Sequence, residues 1–137
     1  MGPVLPIIVA IDPGTHCGYA VRYPTGTYDS GNFDLTVKKG EGGGMRFVRF
    51  RRKFDDLIST LQDREAPTCL VVVFENVRRH MGTDAAHVYG GIVAHLTAFC
   101  EEAQIPYQGI AVGTIKKTAT GKGNADKAQM VDAARKR

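Results

Sequence analysis

The sequence predicts an α/β fold built on a mixed sheet of five strands, three antiparallel and two parallel, flanked by helices. Three observations carry that expectation. An apolar run, Ile7-Ile8-Val9-Ala10-Ile11, ends in Asp12, turns at Pro13-Gly14 and turns apolar again at Gly18-Tyr19-Ala20-Val21, the pattern of two adjacent antiparallel strands. A second apolar run, Leu70-Val71-Val72-Val73-Phe74, also closes on a carboxylate, Glu75. On either side of it, apolar residues recur at helical spacing, so crossover helices set the later strands parallel to the first.

The elements follow in order. The first strand spans about Ile7–Asp12 and the second about Cys17–Tyr23; Pro24-Thr25-Gly26 then turns the chain into a third, near Thr27–Asp34. Gly40 to Gly44 holds four glycines around Glu41 and is expected to be a mobile loop. Phe47, Phe50, Phe54, Leu57, Ile58 and Leu61 then mark the buried stripe of a first helix. Pro67 leads into the fourth strand, Cys69–Glu75. Asp84 caps or opens a second helix running to about Ala103, with Val88, Ile92, Leu96 and Phe99 facing inward and Gly90-Gly91 allowing close helix approach. Pro106 begins a fifth strand that runs through Val112. Gly113 to Gly123 reads as a polar, lysine-bearing loop, and Asn124 as the N-cap of a last helix still in progress at Arg137.

Length and composition bound the answer. The 137 residues suffice for one domain, 1–137, with a real core, and 43% hydrophobic against 23% charged residues is the balance of a soluble globular chain. Cys17, Cys69 and Cys100 are odd in number and form no CxxC pair, as expected of reduced, buried thiols in a cytoplasmic protein, whether of a bacterial cell or a phage-infected host. No export signal or membrane span is visible. The net charge of +4 is unevenly spread, with Arg46, Arg49, Arg51, Arg52 and Lys53 in one cluster and Lys116, Lys117, Lys122, Lys127, Arg135, Lys136 and Arg137 in another. Such clusters suit a polyanion such as nucleic acid, and equally suit solvated helix faces. Gly121-Lys122-Gly123 lacks the frame of a P-loop and reads as a DNA-facing loop. His80, His87 and His95 show no metal-ligand spacing, and His16, following the aspartate turn, reads as an exposed turn residue, with a DNA contact the alternative.

Asp12 and Glu75 carry the chemistry. A carboxylate terminating a hydrophobic strand must be paired or hold a cation. If the first and fourth strands are neighbours, the two acids lie side by side, and together they stay ionised only with a divalent cation. Oxygen ligands of this kind favour Mg2+, with Mn2+ able to substitute, over zinc. On a basic chain that arrangement suits metal-assisted phosphodiester hydrolysis. The alternative is structural: Asp12 capping the Pro-Gly turn, and Glu75 in a buried ion pair with an arginine.

Ile11-Asp12-Pro13-Gly14-Thr15 with Gly18-Tyr19, Phe74-Glu75-Asn76, Val112 through Gly121, and Gly123 through Gln129 stand in an order that resembles the RuvC-type Holliday-junction resolvases of the RNase H-like nuclease superfamily, phage-type variants included. The likeness covers nearly the whole chain. It implies an RNase H-like fold, metal ligands at Asp12 and Glu75, catalytic lysines at Lys116 and Lys127, and a homodimer cutting four-way junctions or other branched DNA by paired nicks, with Val88 and Tyr89 suiting either its two-fold interface or the core. Arg78, Arg79, Lys117 and Lys122 are expected DNA contacts from their charge and place in the chain, not from the family pattern. Two features depart from the family pattern. Arg78 and Arg79 stand where the family often has a base-stacking aromatic, and the family's late carboxylate pair spaced i, i+3 is absent, since Asp126 and Asp132 come too early. The expectation is a nuclease domain lacking the C-terminal end of its last helical region. The competing readings are a catalytically incomplete protein of the same fold that binds junctions, a ribonuclease on RNA–DNA hybrids, and an actin-type ATPase, for which the chain is too short.

Overall fold

The computed structural model describes residues 5–64, 69–77, 82–111 and residue 113. The sequence-predicted sites Arg78, Arg79, Lys116, Lys117, Lys122 and Lys127, the acids Asp126 and Asp132, and the expected last helix lie outside the described residues.

The strands are β1 (Ile7–Asp12), β2 (His16–Arg22), β3 (Tyr28–Asp34), β4 (Leu70–Asn76) and β5 (Tyr107–Ala111), and the helices α1 (Met45–Arg64) and α2 (Thr83–Ala103). They form one mixed sheet in the order β3-β2-β1-β4-β5. β1 pairs antiparallel with β2, and β2 with β3. β4 runs parallel to β1, and β5 parallel to β4. The expected sheet is therefore present: the bounds of β1 coincide with the expected ones, and the ends of the other strands differ by at most one residue.

One face of the sheet carries the core. Ile7, Val9 and Ile11 of β1 and Leu70, Val72 and Phe74 of β4 are buried, while the alternate residues Ile8, Ala10, Val71 and Val73 on the opposite face are half-buried. Phe50, Phe54, Ile58 and Leu61 of α1, and Ile92, Leu96 and Cys100 of α2, close over the buried row in one continuous cluster. Aromatic rings knit the layers: Tyr19 lies 4.9 Å from Phe33, Phe33 meets Phe50 edge-on at 6.5 Å, and Phe54 meets Phe99 edge-on at 5.0 Å.

The two adjacent glycines of α2 have different surroundings. A Cβ at Gly91 would collide with the ring of Phe47, which stacks on His95 at 5.5 Å, whereas Gly90 faces open space. The close helix approach expected of this pair therefore belongs to Gly91. Asp84 sits in the first turn of α2, but Gly82 occupies the N-cap position and makes no side-chain capping bond.

The basic cluster of α1 is largely structural. Arg46 Nε donates to the Leu35 carbonyl at 3.3 Å, Arg49 Nη1 donates to the Thr36 carbonyl at 3.2 Å and its Nη2 pairs with Glu41, and Arg51 reaches Glu102 on α2 at 3.5 Å. These contacts also correct the expectation of a mobile glycine loop. Glu41 accepts from the Lys38 N–H at 2.7 Å as well as from Arg49, so the segment before α1 is tied to the helix. The Arg49 guanidinium holds the Glu41 carboxyl below its ordinary range.

Burial pushes the Cys17 thiol up to about 12 and the Cys100 thiol to about 11, but Cys69, just before β4, is exposed, against the expectation that all three thiols are buried. Native protein is therefore expected to show one fast thiol with Ellman's reagent at pH 8, abolished by Cys69→Ser, and the two slow thiols stay protected as pH climbs past 9. Gly90→Ala is expected to raise the unfolding free energy by roughly 0.5–1 kcal/mol through helix propensity. Gly91→Ala is expected to lower it by about 1 kcal/mol because Phe47 must move, both read by urea denaturation.

Candidate metal centre at the carboxyl ends of β1 and β4

Register brings Asp12 and Glu75 to neighbouring strand ends. β1 and β4 advance together from Ile7↔Leu70 to Ile11↔Phe74, so the next step of each strand is Asp12 beside Glu75. Their side chains follow residues that face the core, Ile11 and Phe74, so both point to the opposite face of the sheet. Asp12 is exposed and Glu75 half-buried. Neighbouring strands run roughly 4.8 Å apart, a spacing at which two carboxylates in step on one face could hold a common cation.

The row across the sheet at this level reads Asn32, Gly18, Asp12, Glu75 and Ile110. Gly18 leaves a gap in it. A Cβ there would stand 3.8 Å from the Asp12 Cβ and 3.5 Å from Asn32 Oδ1, so the strand accepts a small side chain but a larger one would fill the space beside the carboxylate. Cys17, the next residue along, is buried on the helix side. Its thiol is raised mainly by burial, with the nearby Asp12 charge adding to the rise and a Gly14 backbone hydrogen bond opposing it. Buried in the core on the face opposite the carboxylates, it is no part of the pair.

The donor set fits a hard divalent ion. Among the described residues no group of three or more His, Cys, Asp or Glu forms a metal cage. A pair of carboxylates with open space beside one of them matches Mg2+, which keeps several waters and takes one or two carboxylates plus substrate phosphate oxygens. The structural alternative for Asp12, capping the Pro-Gly turn, gains no support from the hydrogen bonds described.

Two further features lie at these strand ends, and neither Asp12 nor Glu75 lines the first of them. Pro13, Thr15, Arg46, Val77, His87 and Tyr89 line a cleft of about 550 Å3 on the helix side of the same strand ends. The Tyr89 hydroxyl donates to the Glu75 carbonyl and accepts from the Val77 N–H, both at 2.9 Å. Sequence reasoning left Tyr89 between interface and core; the structure turns its hydroxyl onto the strand that ends at the site. His16 is exposed at the start of β2, opposite Asp34, and His95 packs on Phe47, so neither joins the carboxylates.

Sheet order, strand directions and the helices on one face define an RNase H-like α/β domain. No family model matches the chain. The crossover junction endodeoxyribonuclease RuvC of Chlamydia muridarum (strain MoPn / Nigg) is 32% identical over 131 residues, taking in 90% of this chain and 72% of the relative. That of Chlamydia trachomatis serovar L2 is 31% identical over 130 residues, with the same coverage. On this evidence the chain belongs to the RuvC family of crossover junction endodeoxyribonucleases. Among solved structures, T. thermophilus RuvC in complex with Holliday junction substrate aligns with a TM-score of 0.71 at 18% identity, over 96% of this chain and 79% of that one. The yeast mitochondrial Holliday junction resolvase Ydc2 aligns with a TM-score of 0.52 at 16% identity, over 98% and 64%.

Because Gly18 lies in extended strand, where a β-branched residue is well accommodated, Gly18→Val is expected to keep the thermal midpoint of the wild type. Filling the gap should still weaken Mn2+ binding in isothermal titration by about tenfold. Unchanged Mn2+ affinity would show that the space beside Asp12 is not used.

Proposed function

We propose that the chain is a divalent-metal-dependent, structure-selective endodeoxyribonuclease that cuts branched DNA, with four-way junctions as the principal substrate. The observation that carries this reading is the placement of Asp12 and Glu75 in step on one face of adjacent parallel strands. Membership of the RuvC family supports it, as does the T. thermophilus relative's structure with a Holliday junction.

Asp12 and Glu75 would hold Mg2+, or Mn2+ in its place, against the scissile phosphate. When bound, the ion supplies charge neutralisation at the phosphate and lowers the pKa of the attacking water. The chain's own part is to orient. Asp12 and Glu75 fix the donor positions, and the gap at Gly18 admits phosphate beside Asp12. We assign Lys116 and Lys127 to offset developing negative charge on the phosphate. Arg78, Arg79, Lys117 and Lys122 are assigned to hold the DNA backbone. A homodimer would present two such sites to opposing strands and so give paired nicks. No helix of the described residues is long and apolar enough to cross a membrane. We place the protein's work in the cytoplasm.

Asp12→Asn and Glu75→Gln are each expected to slow cleavage of a synthetic four-way junction by about 1,000-fold or more, a loss of roughly 4 kcal/mol of barrier lowering. Junction binding, read by gel shift, is expected to persist in both. Cutting at the wild-type rate by either variant would refute the assignment. Wild-type protein that binds junctions with Mg2+ or Mn2+ and never nicks them would instead mark a binding protein of the same fold.

A further inference from the structure

The pairing of β1 with β4 leaves one rung that the backbone cannot make. The Ile7 N–H donates to the Cys69 carbonyl at 2.9 Å, and the register then advances without a slip to Ile11↔Phe74. In a parallel ladder the bonds are evenly spaced and alternate residues of a strand face the same neighbour. Counting on by twos, Val9 serves Val71 and Ile11 serves Val73. The next donor falls at residue 13 and the next acceptor is the Glu75 carbonyl. Residue 13 is Pro13, which has no N–H, and here the chain leaves the sheet to turn into β2. By the same count, the Val77 N–H would have paired with the carbonyl of residue 13.

Tyr89 of α2 takes both places. Its hydroxyl donates to the Glu75 carbonyl and accepts from the Val77 N–H, each at 2.9 Å. A phenolic hydroxyl donates and accepts at a single atom, so one side chain substitutes for the peptide unit that Pro13 and the turn remove. Without it, a half-buried carbonyl and a half-buried N–H at the end of β4 would have to find water, and the strand would open from that end.

We propose that Tyr89 is a positioning residue for the carboxylate pair: by closing β4 past its last β1 rung, it fixes the backbone from which Glu75 extends toward the Asp12 side. The inference rests on the reading of Asp12 and Glu75 as the metal-holding pair. Misplacing a reacting group by about 1 Å can cost roughly 100-fold in rate, so a tether on the strand that carries Glu75 bears directly on catalysis.

Tyr89→Phe removes the hydroxyl and keeps the ring, and two independent readouts test it. In metal-free protein, amide hydrogen exchange at Val77 is expected to quicken at least tenfold while the Val72 amide in mid-strand is unchanged. In single-turnover cleavage of a four-way junction, the saturating rate is expected to fall about tenfold, with more Mg2+ needed for half-maximal rate and unaltered junction affinity. Val77 exchange or cleavage matching wild type would overturn the proposal. So would a rate loss that tracks a lowered unfolding midpoint together with faster Val72 exchange, which marks a merely structural tyrosine. Should the wild-type protein itself leave junctions uncut, the nuclease reading fails, and the Val77 exchange still decides whether Tyr89 closes the strand.

Discussion

Everything in this molecule's candidate chemistry depends on the parallel register of β1 against β4. Because side chains alternate along a strand, a slip of one residue would turn either Asp12 or Glu75 into the packed layer under the helices. The register is held by burial. Ile7, Val9 and Ile11 of one strand and Leu70, Val72 and Phe74 of the other are buried beneath α1 and α2, and each acid is the residue after the last of them. The hydrophobic core thus fixes which face the carboxylates occupy, and the chain's exit from β1 fixes how far along the sheet they sit.

The surroundings of the pair fit the proposed use of this sheet end for a cation and a phosphate. Gly18 withholds a side chain next to Asp12, and Pro13 stops the ladder one residue past it. Stopping the ladder exposes backbone groups on β4, which a hydroxyl from α2 then satisfies. The three features are coupled: an open strand end gives room for substrate, and it needs an outside tether to stay ordered. The α1 arginines serve a different purpose. Arg46 and Arg49 hold the segment before α1, and Arg51 links α1 to α2, so three of the five cluster members spend their charge or hydrogen bonds within the fold.

Much of this was legible in the amino-acid sequence because it is written in local pattern. Apolar runs placed β1, β2 and β4, the turn at Pro24-Thr25-Gly26 and Pro106 placed β3 and β5, the spacing of Phe50, Phe54, Ile58 and Leu61 placed α1, and an acid at the end of two buried strands marked the site. What stayed hidden depends on partners distant in the chain. Nothing near Arg49 announces that it will pair with Glu41 and cap the Thr36 carbonyl, and the glycines around Glu41 argued for looseness instead. Tyr89 is the sharper case. Its apolar ring fits a helix stripe, and the need for its hydroxyl appears only once Pro13 is seen in register with the Glu75 carbonyl. A proline immediately after a strand-terminal acid was a visible sign that some other donor would be required.

The most direct test is to locate Mn2+ by anomalous scattering in crystals of the protein. A peak lying roughly 2.0–2.3 Å from carboxylate oxygens of both Asp12 and Glu75 is the expected result. Mn2+ on one carboxylate alone, or bound elsewhere with the two side chains turned apart, would contradict the shared site.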